Sequence, residues 1–122
     1  MFKVRGIRGA TSVEEDTPSA ILEATTELLL QIVKDNDLVL EDVASIFFTV
    51  TTDLTADFPA YAARELGWSS IPLLCATEIP VKGSMPMCIR VLVHVNTTKE
   101  QTEIKHVYLR RATNLRRDLV NS

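Results

Sequence analysis

The chain has 122 residues, 46% of them hydrophobic, and a formal net charge of −3 at pH 7. That length suits one domain, residues 1–122, with a core of its own and no need of disulfide or metal staples. The acidic balance argues against a nucleic-acid partner, which requires a basic field. Cys75 and Cys88 stand outside any CxxC or Cys/His cluster, so no metal site is expected, and two free thiols fit a reducing compartment.

Lys3, Arg5 and Arg8 interrupt the first apolar residues. No secretory leader is therefore read there, no apolar run reaches membrane-span length, and the expected location is the cytoplasm. Residues 1–10 predict a first strand ending at the turn-prone Gly9. Thr17-Pro18 then marks a helix start, with threonine as N-cap and proline in the first helical position. Ile21/Leu22, Leu28/Leu29 and Ile32/Val33 recur at helical spacing, with Thr25 in the gap. They predict one amphipathic helix to about Asn36.

Residues 44–51, ASIFFTVT, are β-branched and aromatic and predict a buried strand. Residues 59–66 predict a short helix, entered through Asp57-Phe58-Pro59 and stopped by Gly67. A third strand is expected over 71–79 and a loop over 80–86, where Gly83 lies between two prolines. CIRVLVHV, residues 88–95, reads as a fourth strand, 97–103 as a turn and 104–109 as a fifth strand. Residues 110–122 read as a mobile tail. Its arginines, Arg110, Arg111, Arg116 and Arg117, fit either a solvated end or a trap for a small anion.

The order β-α-β-α-β-β-β predicts an α/β (α+β) fold with a single mixed sheet, one long helix and one short one. Two helices cover one face of that sheet at most. In the fourth strand Ile89, Val91, Val93 and Val95 share one face, and Leu92 shares the other with Arg90 and His94. A second face this apolar is expected to pack against another subunit.

Four strands each carry a strong polar group in an apolar run: Arg8, Glu78, Arg90 and Tyr108. Singly, each reads as an ion pair or a satisfied hydrogen bond at a sheet edge. Together they point to a carboxylate-bearing ligand, because the guanidinium fork matches a carboxylate and a buried arginine needs a partner. The phosphate-loop, dinucleotide, zinc-protease and serine-elbow motifs are all missing. Neither His94 nor His106 has a relay partner nearby in sequence, and no positive residue flanks Cys75. Electrostatic catalysis on a bound anion is the chemistry this set suits.

The stretches VRGIRGATSVEEDT (4–17), DFPAYAARELGW (57–68), IPLLCATEI (71–79), CIRVLVHV (88–95) and HVYLRRATNLRRDL (106–119) resemble the AroH class of chorismate mutases over nearly the whole chain. The resemblance implies a homotrimer whose sheets form a pseudo-α/β barrel with active sites at subunit interfaces. It implies a cofactor-free rearrangement of chorismate to prephenate in phenylalanine and tyrosine biosynthesis. Carried over by position, Arg8 would hold a substrate carboxylate, and Arg90 would reach the ether oxygen and a carboxylate. Glu78 and the backbone of Cys75, Ala76 and Thr77 would meet the ring hydroxyl. Tyr108 would lie beside the side-chain carboxylate. Phe58, Leu73, Leu74 and Leu115 would wall the pocket, with Arg64 and Arg116 near its mouth. The sequence departs from the family at Tyr61, where a lysine is expected, and at Glu65-Leu66-Gly67-Trp68, which is one residue short. A non-catalytic trimeric metabolite-binding module, a small deaminase on a similar trimeric fold and a trimer with a dead site are the alternatives; simple carboxylate binding has no need of Arg8, Glu78, Arg90 and Tyr108 together.

Overall fold

The computed structural model describes residues 1–115. Five strands form one mixed sheet: β1 (Lys3–Ser12), β2 (Val43–Val50), β3 (Leu73–Thr77), β4 (Cys88–Thr97) and β5 (Val107–Tyr108), with α1 (Pro18–Asn36) and α2 (Ala60–Glu65) between the first three. The spatial order is β3-β2-β4-β1-β5. The long antiparallel pair β1·β4 runs from Lys3↔Thr97 to Ser12↔Cys88. β4 also pairs antiparallel with β2, and the two edge strands add in parallel, β3 to β2 and β5 to β1.

α1 begins as the sequence predicts. Thr17 is extended and its hydroxyl accepts from the Ala20 N–H at 3.2 Å. The apolar stripe Ile21, Leu28, Leu29 and Ile32 is buried, and Thr25 fits within it because its hydroxyl donates to the Ile21 carbonyl at 2.7 Å. α2 closes at Gly67, which takes the left-handed conformation (φ 85). The Gly67 N–H reaches the Arg64 carbonyl and the Trp68 N–H reaches the Ala63 carbonyl, both at 3.0 Å. This paired closure lets the short Glu65–Trp68 stretch end the helix tightly.

Both helices lie on one face of the sheet. There Ile7, Ile46, Phe48, Val91, Val93 and Val107 pack against Leu28, Leu29, Ile32, Ala62 and Ala63. Ile21 and Ala24 join Val13, Leu54 and Ile89 in a second cluster.

Four sequence expectations change. β1 does not stop at Gly9 but continues to Ser12, and Gly9 is buried in mid-strand. A Cβ there would lie 2.8 Å from Ile32 Cδ1 and 3.1 Å from Leu28 Cδ1, so this glycine serves close packing of α1 on the strand, not a turn. β3 is shorter than 71–79. β5 holds two residues instead of six, because the preceding backbone bonds to a helix end: Asn36 Oδ1 accepts from the Lys105 N–H at 2.8 Å and Asn36 Nδ2 donates to its carbonyl at 2.9 Å. Residues 110–115, read as loose chain, form a 3-10 helix. Arg111 donates from Nη2 to the Val13 carbonyl (3.0 Å) and from its backbone N–H to Ser12 Oγ (3.2 Å), and Ala112 is fully buried. Such side-chain anchors leave no periodic signal in sequence. The rest of that tail, residues 116–122 with Arg116 and Arg117, lies outside the described residues.

Candidate active site

The face of the sheet away from the helices carries the polar groups. Strand register sets them in rows across it. One row reads Ala76–Thr49–Arg90–Ala10–Tyr108, spanning all five strands, and the next reads Leu74–Phe47–Leu92–Arg8. Because alternate residues share a face, these side chains gather at one surface. They form a cleft of about 270 Å³ lined by Arg8, Ala10, Phe47, Thr49, Arg90, Leu92 and Tyr108. Ala10 is small and buried, which leaves space between Arg90 and Tyr108.

Glu78 follows β3 directly, and its N–H donates to the Val50 carbonyl at 2.9 Å, extending the ladder by one residue. Its Oε2 accepts from Thr49 Oγ1 at 2.9 Å and lies 3.2 Å from Arg90 Nε. Nε is buried and its N–H is not aimed along that contact, so it completes no hydrogen bond. The Arg90 side chain is nonetheless 43% exposed, against 16% for Glu78. The Arg90 side chain thus touches Glu78 through its buried Nε and also lines the cleft.

Arg8 is anchored through its backbone, whose N–H donates to His106 Nδ1 at 2.9 Å. Its guanidinium has no ion pair among the described residues. Burial, and then the Arg8 charge, hold His106 below the ordinary histidine range, which keeps the ring neutral and able to accept that bond. The two thiols are not poised as nucleophiles. Burial pushes both Cys75 and Cys88 up, and for Cys88 the nearby Arg90 charge only partly opposes it. No group of three His, Cys, Asp or Glu side chains able to hold a metal occurs among the described residues.

The residues singled out in the sequence do not all meet within one chain. Arg8, Arg90 and Tyr108 share the cleft, and Glu78 reaches it through Arg90 and Thr49. Phe58, Cys75, Ala76 and Thr77 line a second cleft of about 320 Å³, which has no lining residue in common with the first. Tyr61 stands edge-on to Phe58, ring centres 5.5 Å apart. Leu74 is exposed on the polar face beside Phe47. Leu73 packs against the core, so a pocket-wall position for it finds no support in the single chain. Arg64 donates to the Trp68 carbonyl at 2.9 Å, and neither it nor the half-buried Leu115 lines either cleft. Sequence reasoning missed Thr49 and Phe47. The alternation in SIFFTV was the available signal, but which face mattered became clear only with the β2·β4 register.

Residues 4–119 match the family described as chorismate mutase type I. The chain is 56% identical over 117 residues to chorismate mutase AroH of Thermus thermophilus, covering 95% of this chain and 96% of that one. It is 47% identical over 117 residues to chorismate mutase AroH of Bacillus subtilis, covering 95% and 92%. A solved chorismate mutase from Clostridium thermocellum superposes with a TM-score of 0.89 at 50% identity, over 90% of this chain and 98% of that one. On this evidence the chain belongs to the chorismate mutase type I family.

Proposed function

We propose that the protein is a cytoplasmic homotrimer that isomerises chorismate to prephenate, on the route to phenylalanine and tyrosine, with sites built between subunits. One observation carries the chemistry: Arg90 lies against Glu78 through Nε and lines the same cleft as Arg8 and Tyr108. The rearrangement breaks a carbon–oxygen bond as a carbon–carbon bond forms, and no proton has to move. Catalysis then reduces to holding the compact conformer of a dianion and placing positive charge where the ether oxygen becomes negative. Arg8 and Tyr108 take the first task and Arg90 the second, while Glu78 orients the ring hydroxyl without acting as a base. No cofactor enters this scheme.

Two features support shared sites. The polar face also exposes Val4, Phe47 and Leu74 at 58%, 40% and 58%, an apolar surface that a second copy would cover. The second cleft, with Phe58, Cys75, Ala76 and Thr77, would be brought to the first cleft of a neighbouring subunit. In this reading Arg64, Leu73, Leu74, Leu115 and Arg116 wall or guard the completed pocket.

The direct test is loss of chorismate absorbance on adding the protein, followed across neutral pH, with light scattering on the same sample. Turnover by a trimer, with kcat nearly flat through neutrality, is the expected result. Binding without turnover, a steep limb near pH 7 or a monomer at micromolar concentration would each contradict part of the reading.

A further inference from the structure

Thr49 lines the cleft and its hydroxyl bonds the carboxylate that Arg90 leans on. It sits mid-row, paired in register with Arg90 on β4 and with Ala76 on β3. Its Oγ1 donates to Glu78 Oε2 at 2.9 Å, the same oxygen that lies 3.2 Å from Arg90 Nε. Glu78 is the last residue tied to this edge of the ladder, through its N–H to the Val50 carbonyl, and the chain leaves the sheet directly after it, so its carboxylate gains from a second fixed point. Thr49 lies within β2, flanked by β3 and β4, and is β-branched, so its side-chain rotamer is stiff. One oxygen of Glu78 is thereby committed to the protein and the other is left for a ligand. Without the hydroxyl, the carboxylate would be free to swing and take Arg90 as a bidentate partner, drawing the guanidinium from the cleft.

We propose that Thr49 is a positioning residue, which fixes the Glu78 carboxylate so that the terminal nitrogens of Arg90 stay directed at the substrate. This rests on the reading of Glu78 and Arg90 as the working pair. Its prediction separates the two halves of the threonine side chain. Thr49→Val keeps the shape and loses the hydroxyl, whereas Thr49→Ser keeps the hydroxyl and loses the methyl group.

The experiment measures kcat/KM for chorismate and the melting temperature for both variants, each alone and combined with Glu78→Ala. Thr49→Val should lose about tenfold or more in kcat/KM, the scale of one hydrogen bond to a charged group, with its melting temperature near wild type. Thr49→Ser should recover most of that loss. In the Glu78→Ala background, adding Thr49→Val should cost nothing further, because the group it positions is gone. Should Thr49→Val fail to fold, Thr49→Ala carries the same comparison against Thr49→Ser. A folded Thr49→Val with normal kcat/KM, a serine variant worse than the valine, or a full additional loss on top of Glu78→Ala would overturn the proposal. A Glu78→Ala variant with normal kcat/KM would instead sink the underlying site reading.

Discussion

The two faces of this sheet are made from the same strands, often from adjacent residues, yet they obey different rules. On the helix side Phe48 is fully buried; one residue earlier, Phe47 is 40% exposed on the other side. On β4 the buried Ile89, Val91, Val93 and Val95 alternate with half-buried Arg90, Leu92 and His94. The helix face tolerates no loose volume, as Gly9 shows by admitting α1 to within a methyl group of the strand. The opposite face leaves a cleft, a guanidinium without an ion pair among the described residues and an incompletely bonded Arg90. A period of two therefore separates the part of the chain that stabilises the fold from the part that we propose receives a ligand.

Adjacent phenylalanines give the bluntest way to break this comparison. Phe48→Ala should destabilise by about 3–5 kcal/mol, since it empties a closed core. Phe47→Ala should cost clearly less, and its melting temperature should depend on protein concentration if a neighbouring subunit supplies the lost contact. Equal losses in denaturant titration, independent of concentration, would mean the two faces are not distinct.

A smaller effect is expected at Gly9. Gly9→Ala places a methyl group against the ends of Ile32, Leu28 and Val91, side chains that are able to give way a little. A destabilisation of about 1–3 kcal/mol is the expected range for such overpacking. No change in melting temperature would show that α1 packs less tightly than the geometry says.

The smallest effect concerns pH. His106 is held below the usual histidine value of 6.5, by burial first and the Arg8 charge second. Above 6.5 the ring is neutral in both the folded and unfolded chain, so stability is unaffected. As pH falls below 6.5 the unfolded chain takes up the proton first, and stability declines until the folded ring titrates as well. His106→Asn keeps an acceptor for the Arg8 N–H without the titration. Its melting temperature should fall less between neutral and mildly acidic pH than that of the wild type. Parallel curves would remove His106 from the account.

Much of this was legible in the sequence. Thr17-Pro18 and the Ile21–Val33 stripe gave the start of α1 and its approximate end, and the alternation in CIRVLVHV separated the faces of β4 correctly. Non-local bonds were what escaped. β5 is short because Asn36, far away in sequence, claims the backbone of Lys105. The 110–115 helix is held by Arg110 and Arg111 reaching back to Ser12 and Val13. Arg8, Glu78, Arg90 and Tyr108 stood out as charged or phenolic groups in apolar runs. Thr49 did not, since a threonine in a strand is ordinary until its register partner is known.

The central claim is that Arg90 works on the reacting atoms and not on the fold, and one sample of Arg90→Ala tests it through both kcat and melting temperature. The Arg90 side chain is 43% exposed, so loss of its ion pair should cost stability by no more than about 1 kcal/mol. Loss of a preorganised donor to the developing charge should depress kcat by about 10²–10³ or more, and Arg90→Lys should restore only part of it because the fork is gone. A folded Arg90→Ala protein with a lowered melting temperature and an unchanged kcat would contradict the account.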